Sequence, residues 1–416
     1  MLEELHSVYP SLYGKDYSES DMDKRFSSLV EKHKELFERE DISLFSASGR
    51  TEIAGNHTDH NHGLVIGASI NLDTIACVSR RDDMRVILSS EGFPTVDVDV
   101  SDLEIKDEEA NSTNALLRGI AKGFLNKGLK IGGFNANTTT RVLKGSGLSS
   151  SAAIEVLCAE IFNNLFNDDV LSPVELAKIG QYAENVYFKK PSGLLDQIAC
   201  ANGGLVEIDF EDNSNPKVTK LEADFASQGY SIVITDTKGN HANLTGEYAS
   251  IPPEMKSVAR FFGKEVLRQV SFDEFKKNIK EIREAVKNDR ALLRAYHFFK
   301  ENERVEMMSK ELREGNIDTF LMLVEESGNS SFRFLQNVYP ASQSADQGLS
   351  LAIAISEDVL AGDGAVRVHG GGFAGTIQAY VPSYLLEKYI SAMENLFGED
   401  ACTVIAIRNV PVCRIF

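Results

Sequence analysis

Residues 20–40, SDMDKRFSSLVEKHKELFERE, place Met22, Phe26, Leu29, Val30, His33, Leu36 and Phe37 three or four positions apart. That period predicts an amphipathic helix with a charged outer face. The pattern then changes. Residues 41–50, 64–81, 83–90 and 95–100 hold β-branched runs bounded by small or polar residues, and they read as strands. STNALLRGIAKGFLNKG, 112–128, reads as a helix closed by Gly128, and FNANTTTRVL, 134–143, as another strand. Leu157, Ile161 and Leu165 mark one face of a helix over 151–166. A further helix spans 172–188, with Ser172 as N-cap and Pro173 in its first turn. Residues 203–210 and 230–237 read as strands, and 252–330 carry Lys, Glu and Arg at helical period. The last sixty residues return to strand-like runs, notably 364–382 and 402–410.

Strands and helices mix without a regular βα alternation, so a plain parallel sheet is not expected. The pattern suits two α+β domains that divide in the polar stretch EDNSNPKVTK, giving 1–215 and 216–416.

Composition narrows the partners. The formal net charge of −19 disfavours nucleic acid and anionic membranes and favours a small-molecule ligand. Any bound phosphate must be held by a local site against that field. The five cysteines are scattered, odd in number and without a C-x-x-C, which points to a reducing compartment. The N-terminus lacks the pattern of a signal peptide, and no apolar run approaches the ~18 residues of a membrane span. A cytoplasmic protein is expected.

Two loops concentrate the candidate chemistry. In VLKGSGLSSSAAIEV, 142–156, a strand meets G-x-G, then three serines, then a helix. Gly145 and Gly147 let backbone N–H groups turn inward, and a helix N-terminus adds further donors and a positive dipole. Gly145, Ser146, Gly147, Leu148, Ser149, Ser150, Ser151 and Ala152 thus form a candidate phosphate cradle. No Gly-Lys-Ser/Thr follows the glycines, so this is not a Walker A loop. A turn that only caps a buried helix is the alternative, although one serine suffices for a cap. In GRTEIAGNHTDHNHGLVIGASI, 49–70, Arg50, Asn56, His57, Asp59, His60 and His62 lie close together. Such a loop can read a polyhydroxylated ligand, because each unmatched hydroxyl would leave a buried partner unpaired. A transition-metal site lacks recognised ligand spacing here, and a satisfied polar turn is the plain alternative.

The segment LKGSGLSSSAA resembles the phosphate-binding motif of the GHMP small-molecule kinases, with Leu143 where that family usually has proline. The 49–63 segment resembles the galactokinase sugar-binding signature, G-R-[VT]-N-x-[IL]-G-E-H-T-D-Y-N-x-G. Arg50, Gly55, His57, Thr58, Asp59, Asn61 and Gly63 match in register, while Asn56 stands for the family glutamate and His60 for the tyrosine. KKPSGLLDQIACANGG, 189–204, is similar to the segment containing C-G-[IL]-M-D-Q, with Ser192 in place of cysteine. AVRVHGGGFAGTIQAYV, 365–381, resembles the third family motif, R-M-T-G-G-G-F-G-G.

The resemblance implies a two-domain GHMP kinase fold of the α+β class. Its N-terminal part would be ribosomal protein S5 domain 2-like and its C-terminal part ferredoxin-like. It implies an ATP-dependent sugar 1-kinase. Asp196 would serve as base or orienting carboxylate, and Arg50 would stabilise charge. Asn56, His57, Asp59, Gly193 and Tyr248 would meet the sugar, and residues 145–152 the ATP phosphates. Ser151 and Glu184 would hold Mg²⁺, and Gly370, Gly371 and Gly372 would support the phosphate loop. The chain has no Trp where galactokinases often carry one near the adenine, so the base must pack differently. Asn56 leaves open another sugar, such as N-acetylgalactosamine, arabinose or a uronic acid. A non-catalytic sugar and ATP sensor of the same fold is the alternative of a different class. A monomer is expected, with a dimer left open.

Overall fold

The computed structural model describes residues 1–15, 17–142, 145, 147–239 and 244–416. Leu143 and Ser146 of the expected phosphate loop lie outside the described residues. The strands are β1 (Ser43–Ala54), β2 (Leu64–Arg80), β3 (Arg85–Ser90), β4 (Val96–Asp99), β5 (Phe134–Thr140), β6 (Leu205–Asp209), β7 (Lys217–Leu221), β8 (Tyr230–Asp236), β9 (Ala365–Val368), β10 (Thr376–Pro382), β11 (Cys402–Ile405) and β12 (Cys413–Arg414).

One sheet runs β12-β1-β2-β5-β3-β4, with β6 paired to the first part of β2 and β7 outside β6. Only the β3–β5 pair in it is parallel. A second, wholly antiparallel sheet runs β11-β8-β10-β9. The expected division at 215/216 runs through the β6–β7 pair, and β12 returns to β1, so residues from both halves build the first sheet. The mixed α+β class expected from the sequence is present.

β1 is buried along its whole length, which explains its near-continuous apolar and small residues. One apolar core joins β1, β2 and β5 to the helices Thr113–Asn126 and Ser150–Asn167 through Phe45, Val78, Phe124, Phe134, Val156 and Phe162. A second core joins the two sheets through Ile53, Ile66, Ile232, Phe320 and Tyr380, and it includes Leu148 and Ala153. The glycine–serine loop is therefore pinned from below by apolar side chains.

Several helices depart from the sequence reading. Leu2–Tyr13 is helical despite Pro10 and packs beside Glu19–Phe37. Tyr13 and Arg25 from these two helices donate to buried Asp73 of β2 at 2.9 and 2.6 Å. Gly348–Leu360 is helical, and Leu386–Phe397 lies inside the C-terminal region that reads as strand-like. Their tertiary cover accounts for this: both bury apolar faces in the core beneath β9 and β10. The helix expected over 172–188 forms with a full capping box at Ser172 and Glu175, but it ends as Pro173–Tyr182 and continues as a π-helical turn, Ala183–Phe188. π-helical turns occur frequently at functional sites.

Candidate active site

Ser149 occupies the N-cap of the helix Ser150–Asn167 with φ of 59°, yet its side chain makes no cap hydrogen bond. Its hydroxyl instead donates to Asp196 Oδ2 at 2.5 Å. The first-turn N–H groups of that helix are thus left for another acceptor, which is the condition for anion binding at a helix start. Gly147 has φ of 71°, and a Cβ there would lie 2.9 Å from Thr376 Oγ1, so only glycine fits. Leu148 and Ala152, both expected at the phosphates, have buried side chains and can offer only backbone.

Arg50 lies just after a bulge in β1, where register shifts between Ser48 and Arg50. Its backbone N–H donates to Leu148 O at 3.0 Å, and its guanidinium donates to Gly147 O and, at 2.7 Å, to Asp196 Oδ1. Burial by itself would raise the Asp196 pKa. The Arg50 charge and the Arg50 and Ser149 hydrogen bonds outweigh it and hold the carboxyl below its usual range. Asp196 is therefore ionised at neutral pH, and its side chain is still 38% exposed.

Asp196 opens into a cavity of about 170 Å³ that is also lined by Asp59, His60, Ser151, Glu184, Lys190, Ser192, Gly193 and Gln197. Larger clefts of about 720 and 570 Å³ hold none of these residues. Gly193 packs against Asp59, and a Cβ there would lie 2.4 Å from Asp59 Oδ2 and displace that carboxylate. Glu184 sits on the π-helical turn and is buried. Its carboxylate accepts from Lys190 Nζ at 2.7 Å and from Gln197 Nε2 at 3.0 Å. The same Gln197 amide donates to Glu155 at 3.0 Å. Burial, and then the charge of Glu184, raise the Glu155 pKa well above its usual value. Ser151 and Glu184 put two hard oxygen donors on one cavity, which fits an ion such as Mg²⁺ that takes most of its ligands from phosphate and water.

The other expected sugar residues gather elsewhere. Asn56 is fully buried and does not line the cavity. Its Nδ2 donates to Glu52 Oε1 at 2.9 Å and to Gly370 O at 2.7 Å, and its Oδ1 accepts from Asn337 at 2.8 Å and Ser331 at 3.3 Å. Those four bonds use the full capacity of an amide. His57 Nε2 donates to Gly371 O at 2.9 Å, and burial pushes its pKa down to about 4. Tyr248, on the helix Thr245–Phe261, donates its hydroxyl to Gly372 O at 2.7 Å and meets Phe373 edge-on. Asn56, His57 and Tyr248 therefore grip Gly370–Gly372, while Asp59 and Gly193 stand with Asp196.

Several of these residues carry no role in the sequence reading. Lys190 and Gln197 flank Glu184, and the paired lysines of KKPSG just before Asp196 were the available signal. His369 bridges Thr51 of β1 and Thr376 of β10 at 3.0 Å each, directly behind Gly147. Arg367 is fully buried and donates to Glu52 at 2.8 Å, neutralising the carboxylate that Asn56 contacts.

Residues 115–204 match the GHMP kinases N terminal domain, and residues 31–80 match the galactokinase galactose-binding signature. The chain is 30% identical over 359 residues to a galactokinase of Clostridium tetani, spanning 85% of this chain and 88% of that one. It is 30% identical over 383 residues to a galactokinase of Lactococcus lactis, spanning 90% of each. The crystal structure of Lactococcus lactis galactokinase complexed with galactose superposes with a TM-score of 0.78 at 25% identity, covering 94% of this chain and 99% of that one. A mevalonate kinase from Methanococcus jannaschii shares the fold, with a TM-score of 0.59 at 15% identity over 89% of this chain and 99% of that one.

Proposed function

Because the chain belongs to the galactokinase family and has the GHMP kinase fold, we propose that it moves the γ-phosphoryl group of ATP to the anomeric hydroxyl of galactose, releasing galactose 1-phosphate and ADP. The observation that carries this reading is the Arg50–Asp196–Ser149 triangle at the mouth of the phosphate loop. Asp196 is an ionised, half-exposed acceptor beside the cavity. It takes a hydrogen bond from the sugar hydroxyl and receives its proton as the oxygen bonds to phosphorus. The bond from phosphorus to the β-phosphate oxygen breaks, and ADP leaves with that electron pair. A carboxyl held below its usual pKa is a weak base, so orientation is the larger part of its work. Arg50 keeps Asp196 ionised and offsets charge on the group in transit.

The open N–H groups at the start of the helix Ser150–Asn167, with Gly145, Gly147 and Ser149–Ser151, receive the phosphates. Ser151 and Glu184 would hold Mg²⁺, which neutralises phosphate charge when bound. Asp59 and Gly193 face the sugar. His57, Asn56 and Tyr248 act one layer out, by fixing the loop Gly370–Gly372. The five cysteines are free thiols among the described residues, which fits the reducing cytoplasm. None of the described helices is long and apolar enough to cross a membrane. Sedimentation at assay concentration checks the expected monomer.

A second reading, a kinase for another sugar, is favoured by the complete burial of Asn56, which withdraws one expected polar contact from the ligand. ADP release measured across a panel of sugars with ATP separates the readings. Galactose-dependent release, with phosphate on C1 by phosphorus NMR, is expected. Turnover confined to N-acetylgalactosamine, arabinose or a uronic acid selects the second reading. Binding without turnover of any sugar points to a sensor.

A further inference from the structure

Lys190 is the only lysine or arginine among the described residues lining the Asp196 cavity, and it shares that lining with three carboxylates: Asp59, Glu184 and Asp196. Its ammonium lies 2.7 Å from Glu184 Oε1. The two partners are unequally exposed, with 54% of the lysine side chain accessible and 4% of the glutamate. Gln197 holds the other carboxylate oxygen from the protein interior at 3.0 Å. Glu184 is thus fixed from behind by a neutral amide and capped toward solvent by a half-exposed ammonium on a flexible stem. A divalent cation entering with a nucleotide seeks the same carboxylate, and it meets one already neutralised.

We propose that Lys190 is a positioning residue that serves as the internal counter-ion of Glu184, competes with a divalent cation for that carboxylate, and is released toward the nucleotide phosphates when the cation takes its place. The proposal rests on the reading of Glu184 as a cation-holding residue. Lysine suits the task better than arginine would. Its compact ammonium sits on a flexible stem and makes no bidentate fork that would resist displacement. Leaving Glu184 bare instead would strand a buried charge beside Glu155. The lysine also explains how a cavity with three carboxylates, in a chain of net charge −19, can accept a polyphosphate.

The test uses Mn²⁺ alone, titrated into the full-length protein at pH 8 and followed by electron paramagnetic resonance. Wild type is compared with Lys190→Ala, Lys190→Gln and the double variant Lys190→Gln with Glu184→Gln, each checked for folding by thermal melting. Both single variants are expected to bind Mn²⁺ about fivefold more tightly than wild type, the effect of removing one half-exposed ion pair. The double variant is expected to lose that gain. Single variants that bind Mn²⁺ no tighter than wild type, including the case where no protein binds it, overturn the proposal. So does a gain that survives Glu184→Gln. Galactose-dependent ADP release by wild type is scored separately. Turnover with unchanged Mn²⁺ affinity rejects only the role of Lys190, and tighter Mn²⁺ binding without turnover rejects only the kinase reading.

Discussion

The loop that joins β1 to β2 feeds two polar clusters of similar composition and opposite state. Asp59 stands at the cavity with Asp196, Glu184 and Lys190, where Asp196 and Lys190 keep solvent access even though Glu184 beneath them is buried. Three residues earlier, Asn56 joins Glu52, Arg367 and Asn337 in a buried cluster, and every bond of its amide is made within the protein. The groups of the first cluster line a cavity that a ligand can enter, and those of the second do not. The second holds β1 against β9 and the loop Gly370–Gly372, and so sets the shape of the first. Residue type does not separate them; the number of faces already covered does.

Four experiments can break or sharpen that contrast. The largest effect is expected at Asp196. Asp196→Asn should lower turnover by roughly 10²- to 10⁴-fold; because it also removes the charge partner of buried Arg50, turnover is compared at a temperature where thermal melting shows the variant folded. Near-normal ADP release from Asp196→Asn would remove the catalytic carboxylate from the mechanism. Next comes the closed cluster. Arg367→Met leaves Glu52 buried without its counter-ion and should cost about 3–5 kcal/mol of stability in denaturant melts. Protein that keeps full stability but loses affinity for sugar would collapse the distinction between the clusters.

Ser149→Ala frees Asp196 Oδ2 and should cost about tenfold in turnover, roughly one hydrogen bond to a charged group, with little change in stability. An unchanged rate would mean that the short Ser149–Asp196 bond plays no part in turnover. The smallest effect concerns pH. Burial lowers the His57 pKa from 6.5 to about 4, so between those values the unfolded chain binds more protons than the folded one. Stability contributed by neutral His57 is complete above pH 6.5 and declines as pH falls toward 4. His57→Gln should flatten that part of the stability curve, as read by melting temperature against pH. His33, shifted the same way by burial, supplies a residual slope.

Much of this was legible locally. The β-branched runs of 41–50 and 64–81 announced β1 and β2, and the spacing of glycines and serines announced the candidate phosphate loop. What escaped reading depends on contacts distant in the chain. The helix Gly348–Leu360 is so apolar that periodicity barely marks it, and its cover by β9 and β10 decides its form. The resemblance drew Asn56 toward the sugar, but Gly370, 314 positions away, accepts its amide in the interior. Lys190 carried no pattern beyond an adjacent lysine, and only the turn Ala183–Phe188 brings Glu184 within its reach.

The sequence by itself determined the pieces whose physics is short-ranged. These are a helix start preceded by flexible glycines, and a run of hydroxyls. Dihedral freedom, capping and periodicity act over a few residues, so they can be read from neighbours. The tertiary structure alone decided which polar groups would line the cavity and which would be consumed by the interior. Desolvation and hydrogen-bond satisfaction depend on the surfaces that finally close over a side chain, and for Asn56 and Asp59 those surfaces come from opposite ends of the chain and from its middle.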